Sequence, residues 1–195
     1  MNKDKGISVL MPTYNQATFI RRAIISLMNQ TYKQWELIII NDGSTDQTHY
    51  YIADFLSDSR INYIEIDKNK GLGYALNLGL ESAKYNYIAY LPSDDYYLKD
   101  HLQLMISKIE EYEDTILVFS GLNFDNSDTM GGCFPFMNST CSLRKGYCLQ
   151  LVQTLHRKTE DRWLERDEWV TEDLFAMYWH KLAKRGGFVP AKSIS

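Results

Sequence analysis

Two adjacent carboxylates, Asp94 and Asp95, follow the apolar run 87–91 in the stretch YIAYLPSDDYYL. Like charges side by side call for a physical reason. One is a helix start, because acidic side chains are favoured in caps and first turns, where they meet free N–H groups and the positive end of the dipole. The other is a cation site. Hard divalent cations take oxygen ligands, and Mg²⁺ is commonly held by one or two carboxylates completed by substrate phosphates. Two more polar segments carry related chemistry. Tyr14, between Thr13 and Asn15 in PTYN, offers a flat face suited to stacking on a base, and is equally an ordinary half-buried tyrosine. Asp42, in NDGSTD, can accept hydrogen bonds from a base or ribose edge, or serve as a turn residue.

The elements around these segments share one pattern. ISVLM (7–11), WELIII (35–40), INYIEI (61–66), YIAYL (87–91) and TILVFSG (115–121) read as strands. Helical spacing recurs between them, over 17–30, 47–57, 73–83 and 99–112, with Asn15 or Thr18 able to cap the first helix. Strands alternating with helices predict an α/β fold with a mostly parallel sheet. Continuous apolar strands agree with burial on both faces. PTYN, NDGSTD and PSDD then fall together at carboxyl ends of strands, where such sheets bind ligands. Beyond residue 121 the pattern loosens into a polar loop, a helix over 143–155, a charged stretch and a helix over 171–186.

Composition narrows the function classes. The chain has 195 residues, of which 45% are hydrophobic, enough for one domain with a real core. A net charge of −4 gives a nucleic-acid partner no support. Cys133, Cys141 and Cys148 form no C-x-x-C pair, and His49, His101, His156 and His180 lie far apart, so neither a disulfide framework nor a zinc site is predicted. No apolar run approaches the roughly 18 residues of a membrane span. The N-terminus lacks a signal-peptide core, and the expected location is cytoplasmic. Neither a Gly-rich dinucleotide fingerprint nor a Walker P-loop follows the first strand. Phosphates are therefore expected to be neutralised by a metal rather than cradled by backbone amides.

ISVLMPTYNQATFIRRAIISLMNQTYKQWELIIINDGSTDQT followed by YIAYLPSDDYYL resembles the family 2 glycosyltransferases of GT-A fold, over residues 6–121, with TEDLF extending the likeness toward 186. The resemblance implies a three-layer sandwich around a mostly parallel sheet. It implies a donor half over 1–122 and an acceptor-side region over 123–195 within one domain. The implied activity is inverting transfer of a sugar from a nucleotide-diphosphate sugar, expected to be a UDP-sugar, to a saccharide or glycolipid of a surface polysaccharide. Pro12, Thr13 and Tyr14 would line the base pocket, Asp42 would bond base or ribose, and Asp94 would face ribose or sugar and share the metal site. Asp95 would coordinate Mn²⁺ or Mg²⁺, and Asp173, beside Glu172, would be the catalytic base. Both acids would also suit a helix's first turn.

The chain departs from the family pattern at three places. Pro92 stands where the first Asp of an Asp-x-Asp-Asp motif is usual. Leu76 precedes Asn77 where an Arg, a candidate phosphate contact, is usual, leaving Lys70 as the expected substitute. Family members usually continue beyond GGFVPAKSIS through another strand and a His- or Arg-bearing segment, so the acceptor-side region is expected to be truncated. These departures keep a second reading open, a catalytically weak nucleotide-sugar binding module. A nucleotidyltransferase is disfavoured, because no triphosphate-binding loop follows the first strand. A lipid acceptor would bring peripheral contact with the inner membrane face, although no basic amphipathic helix announces one.

Overall fold

The computed structural model describes residues 5–122, 149–168 and 174–194. Seven strands form one sheet: β1 (Ile7–Thr13), β2 (Trp35–Asn41), β3 (Ile61–Glu65), β4 (Tyr87–Tyr90), β5 (Thr115–Gly121), β6 (Thr154–Arg157) and β7 (Gly187–Ile194). Their order is β3-β2-β1-β4-β6-β5-β7, and every strand but β6 runs in one direction. Five helices flank them: α1 (Ile20–Met28), α2 (Thr48–Ile52), α3 (Leu72–Ser82), α4 (His101–Ile109) and α5 (Leu174–Ala183).

Strand periodicity creates the three layers. Side chains alternate across a sheet, so a strand that is apolar throughout needs cover on both faces. Val9 and Met11 of β1 face a core built with Ile24 and Leu27 of α1 and Met105 and Ile109 of α4. Leu10, between them in sequence, faces the opposite core with Leu76 and Leu80 of α3 and Trp179 and Leu182 of α5.

Three expectations need correction. The helix expected over 47–57 is α2 followed by a 3-10 turn at Ala53–Ser57. There the Arg21 guanidinium bonds the Tyr51 carbonyl at 2.9 Å and grips the Asp54 carboxylate at 2.7 and 2.9 Å. The helix expected over 143–155 lies partly outside the described residues. Its described end is a single 3-10 turn, Leu151–Gln153, and then β6. Gln153 donates to the Ser120 carbonyl at 2.7 Å, which ties the turn to β5. α1 has no side-chain cap from Asn15 or Thr18. Instead Asp46 accepts the Ala17 N–H at 3.0 Å, from the loop after β2. A fourth point is an addition: GGFVPAKSIS, to which the sequence pattern assigns no element, supplies β7, parallel to β5. The helix expected over 171–186 begins at Leu174 in the described residues, and Thr171, Glu172 and Asp173 lie outside them. Cys133, Cys141 and Cys148 do as well.

β6 enters the middle of the sheet because its side chains are satisfied there. His156 is fully buried. Its Nδ1 lies 2.7 Å from the Arg157 carbonyl, which needs the proton on that nitrogen, so Nε2 accepts the Tyr90 hydroxyl at 2.8 Å. Burial lowers its pKa to about 4, so the ring stays neutral. Tyr178 and Trp179 pack against it, and Trp163 stacks on Tyr178 at 3.9 Å.

The segment after β6 is held to α3 by one side chain. The Asn77 amide pairs with the Trp163 backbone in both directions, accepting from its N–H at 2.8 Å and donating to its carbonyl at 3.1 Å. It also donates to Glu165 at 3.0 Å. Replacing Asn77 with Ala leaves the buried Trp163 N–H unpaired and its carbonyl with only the longer 3.4 Å bond from Arg162, at about 1–3 kcal/mol for an unsatisfied group. Asn77→Ala should therefore lower unfolding free energy by about 2–4 kcal/mol in urea titrations. A loss below about 0.5 kcal/mol, the range of ordinary surface substitutions, would contradict this role.

Candidate functional site

β1, β2 and β4 lie side by side in parallel, so their carboxyl ends open on one edge of the sheet. The register pairs Leu10 with Tyr90 and Thr13 with Asn41. Two bonds extend the ladders into the loops: Asp42 N–H to the Thr13 carbonyl and Leu91 N–H to the Leu10 carbonyl, both 2.9 Å. A cleft of about 560 Å³ forms where the three loops meet. Pro12, Thr13, Tyr14, Asp42, Asp94 and Asp95 all line it.

Each loop is fixed by short-range chemistry. Asn15 adopts the left-handed region at φ 54°, which Asn tolerates. Its Oδ1 accepts the Thr45 N–H at 2.8 Å, and its own N–H donates to Ser44 Oγ at 2.9 Å, locking PTYN to NDGSTD. Tyr14 beside it is 46% exposed, so its ring is available for stacking. The Thr13 hydroxyl is buried on the cleft wall and has no hydrogen-bond partner among the described residues.

Asp42 is buried, and its carboxylate accepts the Lys70 and Gly71 N–H groups, both at 2.8 Å. This is a structural task that its place in a turn-rich loop did not reveal. Gly71 takes φ 95° and Gly43 takes φ 71°, where a side chain would be strained. A Cβ at Gly43 would also lie 2.7 Å from the Asn69 nitrogen.

Asp94 and Asp95 are not helix-cap residues. α4 starts at His101 with Asp100 before it, whereas the Asp95 N–H closes a turn on the Pro92 carbonyl at 3.0 Å. Both flanks of that turn are anchored. Arg22 donates to the Asp94 carbonyl at 2.8 Å and lies over the Tyr96 ring at 4.9 Å. Tyr97 is buried, with its hydroxyl on the Tyr90 carbonyl at 2.6 Å and its ring stacked on His101 at 4.1 Å. No hydrogen bond or ion pair among the described residues engages either carboxylate. Burial, and then the neighbouring Asp94 charge, push the Asp95 pKa up to about 6, while Arg22 pulls it down.

Lys70 is not on the cleft wall. Its ammonium lies over the Tyr74 ring at 4.3 Å and bonds the Tyr74 hydroxyl at 3.2 Å. Leu76 is fully buried in the core, so that position offers no charge to the cleft. The C-terminal half contributes wall residues that sequence reasoning did not assign: Gln150, Leu151, Arg166 and Phe175. No local motif marks them, because their place depends on β6 and α5 packing across the sheet. Glu172 and Asp173 precede α5 and lie outside the described residues.

The cleft can do three things chemically. It offers an aromatic face, buried polar atoms for a heterocycle or sugar edge, and a pair of carboxylates for a cation. Among the described residues no cluster of three or more metal-ligating side chains exists. Asp94 and Asp95 would thus need a ligand to complete a coordination shell, as phosphate-bound Mg²⁺ sites do. No helix among them is long and apolar enough to cross a membrane.

Comparison with known proteins agrees with this geometry. Residues 8–186 match the family described as Glycosyl transferase family 2. Glycosyltransferase GlyA of Streptococcus pneumoniae is 38% identical over 128 residues, 65% of this chain and 18% of that protein. The Escherichia coli protein WfgD, named a UDP-Glc:alpha-D-GlcNAc-diphosphoundecaprenol beta-1,3-glucosyltransferase, is 39% identical over 104 residues, 53% of this chain and 41% of that protein. The chain thus spans less than half the length of these relatives. The crystal structure of S. aureus TarS 1-349 superposes with a TM-score of 0.79 at 19% identity, covering 97% of this chain and 58% of that one. TarS 1-349 has also been solved with UDP and with UDP-GlcNAc. The chain belongs to glycosyltransferase family 2 and has the GT-A fold.

Ionised Asp95 should cost the fold stability, and the sign follows from its raised pKa. Below about pH 4 the carboxyl is protonated both folded and unfolded. Between about pH 4 and 6 the unfolded chain gives up this proton while the folded protein still holds it, so stability falls across that window and levels off above it. Asp95→Asn should therefore raise Tm at pH 8, by a few degrees for about 1–2 kcal/mol after solvent screening. It should give no gain at pH 4. Thermal melts at the two pH values check this, and an equal shift at both would contradict it.

Proposed function

We propose that this chain binds a nucleotide-diphosphate sugar, expected to be a UDP-sugar, and transfers the sugar with inversion to a saccharide or glycolipid acceptor in surface polysaccharide synthesis. The observation that carries this is the convergence of Tyr14, Thr13 and the Asp94–Asp95 pair on one cleft at the carboxyl ends of β1 and β4. The UDP and UDP-GlcNAc complexes of TarS and the name of WfgD support a uridine diphosphate donor and a glycolipid acceptor.

In this reading Tyr14 stacks on the base, with Pro12 and Thr13 beside it. Asp42 reads base or ribose with the lone pairs left by its two amide bonds, and so couples the 70–71 loop to the donor. Asp94 faces ribose or sugar, and Asp95, with Asp94, holds Mn²⁺ or Mg²⁺. The donor set fits that ion: two adjacent carboxylates, one pushed toward its neutral form by burial and like charge, gain most from a divalent cation. When bound, the ion would act as a Lewis acid on the leaving diphosphate. Asp173, with Glu172 beside it, takes the acceptor hydroxyl proton while that oxygen attacks the anomeric carbon. The bond from that carbon to the diphosphate oxygen breaks, its electron pair leaves with the diphosphate, and the configuration inverts. A carboxylate suffices as base because proton loss accompanies attack.

The alternative, a catalytically weak binding module, draws on Pro92 in place of a third carboxylate. Calorimetric titration of UDP, GDP, CDP and ADP, with Mn²⁺ and with chelator, tests the donor site. One diphosphate should bind in a metal-dependent way, and Asp95→Asn should abolish that dependence. Asp173→Asn should keep donor affinity while lowering turnover by about 10²–10⁴-fold. Donor binding without turnover in the unaltered protein would favour the binding module. No binding by any diphosphate would overturn both.

A further inference from the structure

Resting on the donor-site reading above, we propose that Arg166 is the side chain that grips the donor's diphosphate, reaching the cleft from the C-terminal half of the chain. Among the described cleft-lining residues it is the one cation, facing a wall that holds Asp42, Asp94 and Asp95. Its position is built. Asn77 clamps Trp163 and Glu165 to α3, and a single 3-10 turn then begins at Arg166. The guanidinium lies along the Gly71 backbone, where an added Cβ would sit 3.2 Å from Nη2. Nη2 donates to Asn69 Oδ1 at 2.9 Å, a neutral partner.

The charge balance is what points to a ligand. No carboxylate among the described residues pairs with Arg166. Of the three nearest acids along its own segment, Glu165 is held by Asn77 and Arg162, Glu168 is held by Arg162, and Asp167 lines a separate cavity without pairing with Arg166. Gly71 also precedes the first turn of α3, the positive end of that helix's dipole. The guanidinium is solvent-exposed there, and among the described residues its one hydrogen bond goes to an amide oxygen, so its charge and its remaining N–H groups can take an anion. A diphosphate satisfies both charges. Arg suits the role because its planar fork can bond two phosphate oxygens at once. The cation on Asp94–Asp95 and the arginine would then meet the same diphosphate from different walls.

Titration of UDP and of uridine into the unaltered protein, Arg166→Ala and Arg166→Gln, all with Mn²⁺, tests this. UDP affinity should fall about 10- to 100-fold in both variants, the range for lost hydrogen bonds to a charged group. Uridine affinity should stay unchanged. Gln keeps the capacity to bond Asn69 while removing charge, and so separates the two roles. Inorganic pyrophosphate, run alongside as a competitor, should displace UDP less well from either variant. Unchanged UDP affinity in both variants would overturn this inference alone, as would an equal loss for uridine and UDP, the mark of a merely structural arginine. Failure of the unaltered protein to bind either ligand would overturn the donor-site reading and this inference with it.

Discussion

Everything at the site depends on β1 being paired in parallel on both sides, with β2 and with β4. All three strands are buried throughout, so each register is fixed by both cores at once. A slip of one residue would exchange the side chains meant for the α1–α4 face with those meant for the α3–α5 face. That rigidity lets three irregular, polar loops sit together with little freedom. The loops need no secondary structure of their own because Asp42 and Leu91 continue the ladder for one more bond.

Asp42 and Asp95 show how one cleft holds two carboxylates in opposite conditions. Asp42 is buried yet satisfied, its two oxygens taken up by amide groups of the 70–71 loop. Asp95 is partly buried, beside a like charge, and has no such donors. The first arrangement builds structure and the second stores electrostatic tension. Active sites characteristically hold groups of the second kind.

Most of this was legible in the sequence where the signal was local. Five apolar runs became β1 to β5, and PTYN, NDGSTD and PSDD arrived together as the strand ends required. Legibility failed where a residue's role is set by a distant partner. The short, mostly polar stretch Thr154–Arg157 gives no strand signal, and β6 exists because Tyr90 and the sheet satisfy His156. Asn15 looked like a helix cap but binds a loop 30 residues away. Arg22 acts on Asp94 across 72 positions, and Arg166 on Asn69 across 97. No spacing rule reaches that far.

The reversed strand has a consequence for how the chain can fold. β5 hydrogen-bonds within the sheet only to β6 and β7, both later in sequence. Although residues up to 121 contain five of the seven strands, the fifth cannot join the other four until residues 154–157 have been made and have crossed back between β4 and β5. Closure of the sheet therefore waits on non-local contacts, the kind that slow folding and leave strand edges open meanwhile. During synthesis, β4 would stay an unprotected edge for a long stretch of translation, and shielding that edge is a natural task for a chaperone.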